Sequence, residues 1–235
     1  MQIGDGQFIH GDAIDYMRRL PDGWIDMIFT DPPYRTISGG RESAIGYGFR
    51  TSMLSKNDGK IFKHNDVSIT DYMTQFYRLL KEGSHCYVMT NNLNLRELLN
   101  VAEGVGFGFH NLLAWRKNTC TANRWYMKEL ELVCLFYKRP ANRINFAGSK
   151  QIFEFDNPRN KRHPTEKPVE LMQHYIKNST QLGEIVFDPF AGSGSTAIAA
   201  QSSGRRWITT EIDPTFYYAT VSRLWEYCND AKPEI

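Results

Sequence analysis

The chain has 235 residues, 41% of them hydrophobic, with 28 Lys and Arg against 26 Asp and Glu for a formal net charge of +2. That length and balance suit one domain with enough apolar mass for a core, and they exclude a disordered or fibrous chain. No apolar run approaches a membrane span and the first residues lack a basic-then-apolar leader, so the expected setting is the cytoplasm, with no membrane partner.

Residues 7–10 ("QFIH") and 27–30 ("MIFT") read as the first strands, short and rich in branched or aromatic residues. The second runs straight into "DPPY" at Asp31–Tyr34. Residues 35–67 then break the rhythm with Gly, Ser, Lys and Arg, a long loop of the kind that carries function. A helix is expected over 69–80, where Ile69, Tyr72, Met73, Phe76, Leu79 and Leu80 recur at helical spacing before "KEG". Strands follow at 85–90, 112–115 and 131–137, with a helix over 93–105 between the first two. Residues 138–162 are irregular and basic. The next helix spans 165–180, with Thr165 as its cap and Pro168 in its first turn. Strands at 184–187 and 206–211 flank a helix over 195–203, and "DPT" opens a last helix over 213–228. Alternating strands and helices, with no repeat and no linker, predict one α/β domain with a largely parallel sheet.

The chemistry gathers in two places. "VFDPFAGSGSTAIAA" is a strand, a Gly-x-Gly turn and a helix, in which Gly192 and Gly194 let backbone amides approach a ligand at a helix N-terminus. Glu211 ends the following strand, where an acid can accept hydrogen bonds from a ribose diol. Alone, this is a nucleoside-cofactor site of ambiguous identity; a P-loop is excluded, since no Gly-Lys-Ser/Thr follows. Asp31 should emerge at the carboxyl edge of the sheet, where open α/β folds bind ligands. Pro32 and Pro33 supply carbonyls without N–H groups, and Tyr34 adds a flat ring. A carboxylate, a carbonyl and a ring complement a base with an exocyclic amino group, adenine or cytosine. An isolated Asp-Pro-Pro would be a plain turn; beside a nucleoside-cofactor motif it reads as a reactive one.

The four cysteines (Cys86, Cys120, Cys134, Cys228) show no Cys-x-x-Cys spacing, and the six histidines form no cluster, so no metal is expected. From Trp115 to Lys167 roughly a dozen Lys and Arg stand against about five acids, which reads either as a solvated surface or as an electrostatic footprint for phosphates.

"TDPPY" with "FDPFAGSGST" resembles the S-adenosylmethionine-dependent amino-methyltransferases of DNA. "IHGDAIDYMRRLPDGWIDMIFTDPPY", "LLKEGSHCYVM", "LLAWRKN" and "HPTEKPVELM" are similar to further family segments, in the permuted β-group order with the catalytic motif first. The resemblance runs from about residue 7 to 228. It implies a Rossmann-like methyltransferase fold with a mostly parallel seven-stranded sheet and helices on both faces. It also implies a single domain over 1–235, with 35–67 as a DNA-facing active-site loop and 138–162 as a short target-recognition segment.

By the same resemblance, Asp31, Pro32, Pro33 and Tyr34 form the catalytic turn. Asp12 and Ala13 lie near the cofactor's adenine, and Glu211 holds its ribose. Asp31, Asp188, Phe190, Ala191, Gly192, Ser193 and Gly194 surround its methionine part, flanked by Thr165 and Lys167, with His163 opening that segment. The implied substrate is a nucleotide flipped out of double-stranded DNA. "DPPY" looks more like the adenine-N6 members; the cytosine-N4 members commonly carry Ser in place of Asp31. The recognition segment is short for the family. Three expectations follow: a short or relaxed site, help from the 35–67 loop, or a second subunit in a homodimer. Two other readings, a dinucleotide oxidoreductase and a nucleic-acid-binding module without catalysis, leave "DPPY" or the intact glycine turn unexplained.

Overall fold

The computed structural model describes residues 1–33, 66–121, 126–158 and 166–230. Tyr34, most of the 35–67 loop, His163 and Thr165 lie outside the described residues. The strands are β1 (Gln2–Ile3), β2 (Gly6–His10), β3 (Ile25–Thr30), β4 (Leu80–Thr90), β5 (Gly108–Thr121), β6 (Lys128–Tyr137), β7 (Ile152–Glu154), β8 (Ile185–Asp188) and β9 (Arg206–Glu211). The helices are α1 (Ala13–Met17), α2 (Ile69–Leu79), α3 (Leu95–Val105), α4 (Val169–Ser179), α5 (Ser195–Ser202) and α6 (Pro214–Asp230).

One sheet holds all these strands, in the order β1-β2-β9-β8-β3-β4-β6-β5-β7. It has nine described strands, not the expected seven. The additions are β1, two residues turned back on β2, and β7, three residues inside the segment expected to be irregular. Both are edge strands too short to show a period, which is why the sequence did not declare them. From β2 through β4 every neighbouring pair is parallel. The sheet switches at β6, which runs antiparallel to both β4 and β5.

Alternation along the central strands separates two cores. Met27, Phe29, Tyr87, Met89, Val133, Leu135, Val186 and Trp207 face α4, α5 and α6. Ile28, Cys86, Val88, Cys134, Phe136, Phe187 and Ile208 face α1, α2 and α3. Every residue of β3 is buried, as a central strand requires. Cys86 and Cys134 are free, buried thiols that pack in the second core as small apolar residues.

Helix boundaries follow local chemistry. α2 gives way directly to β4 at Leu80, and Gly83, at φ 82°, sits inside that strand instead of ending the helix. The Asp213 carboxylate accepts from the Thr215 amide at 2.8 Å, capping α6 with Pro214 as its first residue. Pro168 precedes the first turn of α4 in extended conformation. Among the described residues no helix is long and apolar enough to cross a membrane.

α5 presents Ala197, Ile198, Ala199 and Ala200 to the sheet and to α4, all buried. Its small side chains allow the close approach that brings the preceding turn onto the strand ends. Ala199→Leu should therefore force an overpacked interface and lower stability by about 1–3 kcal/mol. Urea unfolding followed by far-ultraviolet circular dichroism measures it; an unchanged midpoint would show slack under α5.

Candidate active site

Because β2, β9, β8 and β3 are parallel neighbours, their carboxyl ends share one edge. Each delivers an acid there. Asp12 lies two residues beyond β2, Glu211 ends β9, Asp188 ends β8 and Asp31 follows β3. The Gly11 amide donates to the Glu211 carbonyl at 3.0 Å, tying the first two ends together.

Each acid has its own compensation. Asp12 caps α1, accepting from the Asp15 amide at 2.9 Å with Ala13 buried beside it. Glu211 accepts from the Gly192 amide at 3.1 Å on one oxygen and from the Asp213 amide at 2.9 Å on the other. Burial pushes its carboxyl above the ordinary range, and those amides oppose the push. Asp188 is buried and accepts from the Thr30 hydroxyl at 2.7 Å and the Phe190 amide at 3.1 Å. Burial pushes its carboxyl up to about 6; hydrogen bonds from Thr30, Thr196 and Phe190 pull it down, and the neighbouring Asp31 charge adds to the rise.

The glycine turn is braced from outside by α6. Gly192 and Gly194 have φ of 49° and 76°, and a Cβ on Gly194 would lie 2.6 Å from Thr220 Cγ2. The Thr220 hydroxyl donates to the Gly192 carbonyl at 2.7 Å, and Arg223 Nη1 donates to the Ser193 carbonyl at 2.8 Å. The Ala191 amide donates to the Thr210 carbonyl at 3.0 Å. Phe190 turns edge-on to Tyr72 of α2, with ring centroids 6.0 Å apart.

In the acid–proline turn, Asp31 is half-buried, Pro32 buried and Pro33 half-buried. Lys167 Nζ lies 2.7 Å from Asp31 Oδ2 and 3.2 Å from Glu131 Oε2. Glu131 Oε1 lies 3.2 Å from Lys117 Nζ. Burial disfavours the Lys167 charge, but Asp31 and Glu131 outweigh it and raise the ammonium pKa. Burial likewise works against the Glu131 carboxylate, and Lys167 and Lys117 reverse it, lowering its pKa. The preceding residue, Glu166, points elsewhere and pairs with Arg223 Nη2 at 2.7 Å. The Ser195 hydroxyl donates to the Lys167 carbonyl at 3.0 Å.

Asp12, Ala13, Asp31, Pro32, Pro33, Lys167, Asp188, Phe190, Ala191, Gly192, Ser193, Gly194 and Glu211 therefore converge on one edge. Lys167, expected only at the cofactor's flank, reaches Asp31 itself. Sequence reasoning missed Glu131, Glu166, Thr30, Thr220 and Arg223. The adjacent opposite charges of "TEKP" signalled Glu166; Glu131 sits in the alternating "KELELV", which reads as a solvated strand face.

The segment 138–162 only partly reaches this edge. Asn142 bonds the Gly83 carbonyl and Asn145 the Asn178 carbonyl, at the opposite end of the sheet. The chain then climbs along β5 through β7, and Asn157 meets Asn118 and Thr119. The β5–β6 hairpin projects beyond the Thr90↔Leu132 pairing at the end of β4 and carries Arg116, Lys117 and Lys128 past the strand ends. Among the described residues no group of His, Cys, Asp and Glu is arranged to hold a metal.

The raised carboxyl of Asp188 sets a pH signature. Its protonated form is favoured in the fold, so its contribution is greatest below the ordinary value of 3.8 and is lost as pH rises through about 6. Asp188→Asn should gain on the wild type by roughly 2–3 kcal/mol between about pH 4 and pH 7. Urea titrations of both proteins at each pH measure the difference; a pH-independent difference would show that Asp188 titrates normally.

The sequence pattern of the N6_N4_Mtase family, described as DNA methylase, matches residues 25–222. Relatives include the type II methyltransferase M2.MboI of Moraxella bovis, 28% identical over 244 residues that cover 92% of this chain and 86% of that one. The type II methyltransferase M2.DpnII of Streptococcus pneumoniae is 24% identical, covering 92% and 88%. Among solved structures, the M1.HpyAVI–SAM complex superposes with a TM-score of 0.71 at 20% identity, covering 93% of this chain and 99% of that one. The cytosine-N4-specific PvuII DNA methyltransferase gives a TM-score of 0.72 at 17% identity, covering 97% and 93%. A match across most of the chain, with the glycine turn and Asp31 on one sheet edge, makes this protein a member of the DNA methylase family of amino-methyltransferases.

Proposed function

We propose that the protein transfers a methyl group from S-adenosylmethionine to the exocyclic N6 of adenine in double-stranded DNA. The observation that carries this reading is the convergence of Asp31, Asp188 and Glu211 on adjacent strand ends beside the glycine turn. The residues present suit the cofactor. Glu211 has lone pairs beyond those used by two amides for a ribose diol. Asp12 and Ala13 stand at the next strand end for its adenine. Asp188, Phe190 and the 191–194 turn surround its methionine part, where carboxylates and carbonyls favour a sulfonium cation; Thr165 is placed beside them by the family resemblance. When bound, S-adenosylmethionine supplies an electrophilic methyl carbon.

The protein's own residues prepare the nucleophile. An amino nitrogen conjugated into a base is a poor one. The Asp31 carboxylate and the Pro33 carbonyl accept hydrogen bonds from its two N–H groups, drawing the lone pair out of conjugation, and Asp31 is placed to take the one proton released after transfer. Tyr34 stacks on the base, by the family resemblance. Extruding the nucleotide costs a few kcal/mol of unstacking. Arg116 and Lys128 of the β5–β6 hairpin offset it through phosphate contacts, which makes binding weaken with salt. A carboxylate rather than a serine hydroxyl at position 31 favours adenine over cytosine N4.

Digestion of DNA treated with the protein and labelled cofactor identifies the methylated base: N6-methyladenine supports this reading, and N4-methylcytosine overturns the choice of base. Asp31→Ala should reduce transfer by at least about a hundredfold while cofactor affinity stays within a few-fold. Appreciable residual transfer would exclude Asp31 as the acceptor of the amino protons.

A further inference from the structure

We propose that Glu131 is a positioning residue for methyl transfer, acting through Lys167 on Asp31; the proposal rests on the reading of Asp31 as acceptor of the amino protons. Four charges alternate in a string: Lys117, Glu131, Lys167 and Asp31, with successive contacts of 3.2, 3.2 and 2.7 Å. They come from four places, namely β5, β6, the stretch before α4 and the turn after β3. The string is sheltered. The Lys117 and Lys167 side chains are 16% and 11% exposed, against 51% and 71% for the Arg116–Glu154 pair alongside.

Glu131 is the member with the firmest footing. Its backbone pairs with Trp115 within the regular part of the β5–β6 ladder, one pair before its register shift, and Trp115 is itself buried. Lys167, by contrast, sits in a stretch before Pro168, on a stem with four rotatable bonds. An ammonium held by Asp31 alone could swing with that carboxylate. A second carboxylate fixed to the sheet sets where Nζ stands, and thereby how Asp31 is turned. Glu131 also shares the cation. Without it more of the Lys167 charge falls on the Asp31 oxygen atoms that accept hydrogen bonds from the base, and a better-neutralised carboxylate is a weaker acceptor. Lys117 completes the balance, so Glu131 adds no net charge at the site.

The test is a kinetic comparison of Glu131→Gln with wild type, on DNA at saturating cofactor. The expected result is a kcat lowered about tenfold to a hundredfold, the cost of a misplaced catalytic group. Cofactor Kd by calorimetry should stay within about twofold; Tm should fall, since Glu131 offsets two largely buried ammonium groups, so kcat is measured well below the variant's Tm. In a Lys167→Met background Glu131→Gln should add no further loss, because both act through one contact. Multiplicative losses, an unchanged kcat, or an effect confined to KM for DNA would each overturn the role. If Glu131→Gln fails to fold, Lys117→Met decides instead: a reduced kcat with unchanged cofactor Kd supports the string, and an unchanged kcat overturns it. A wild-type chain that methylates no DNA overturns the functional reading and this role with it; an active wild type with an unaffected Glu131→Gln overturns this role alone.

Discussion

Four adjacent strand ends each deliver a carboxylate to one edge, and burial, the largest cause of the raised Asp188 and Glu211 carboxyls, is the constraint around which this edge of the molecule is built. Four acids together would strain a domain of ordinary stability. The structure answers each acid differently. Asp12 faces a helix N-terminus, Glu211 two backbone amides, Asp188 two hydroxyls and an amide, and Asp31 an ammonium. The order matters for chemistry. Asp31 is held by a full counter-charge, next to a buried neighbour, Asp188, that is pushed toward protonation.

The dipeptide Glu166–Lys167 links the two halves of the site. Glu166 pairs with Arg223, which also holds the Ser193 carbonyl of the glycine turn. Lys167 pairs with Asp31, while its own carbonyl accepts from Ser195 at the start of α5. Two successive side chains thus reach opposite ways, one to the cofactor turn and one to the acid–proline turn. Any shift of the glycine turn is felt at this stretch, and through it at Asp31. The distance between the two motifs in sequence is long; in space it is spanned by a single residue pair.

Much of this was legible in the sequence, and the reasons are physical. Central parallel strands are continuous apolar runs, so 27–30 and 184–187 declared themselves, and the acids that follow them had to appear at the carboxyl edge. Gly192 and Gly194 read as a turn because their backbone is left-handed there. What was hidden were short or non-local features. β1 and β7 have two and three residues, below any periodic signal. The five-residue helix α1 was missed for the same reason, although Asp12 was singled out. Glu131 looked like one solvent-facing tooth of a strand, because its partners lie 14 and 36 positions away and only the fold brings them in. Thr220 and Arg223 looked like surface residues of a final helix, and only packing against the turn shows their use.

The antiparallel strand β6 explains why a charge from the far side of the sheet can take part at all. A parallel strand presents this edge only with its last residue, and the loop that follows is free to vary. β6 enters the sheet from the edge, so its early residues stand there, with Leu130 and Glu131 already paired to Arg116 and Trp115 of β5. Glu131 is therefore part of a ladder and not of a loop, and its position is fixed by backbone hydrogen bonds on rigid neighbours. The same reversal sends the β5–β6 hairpin beyond the strand ends with Arg116 and Lys128 on it. One topological feature thus does two things: it supplies a fixed acid to the ion string behind Asp31, and it extends cationic side chains over the face where a polyanion would lie.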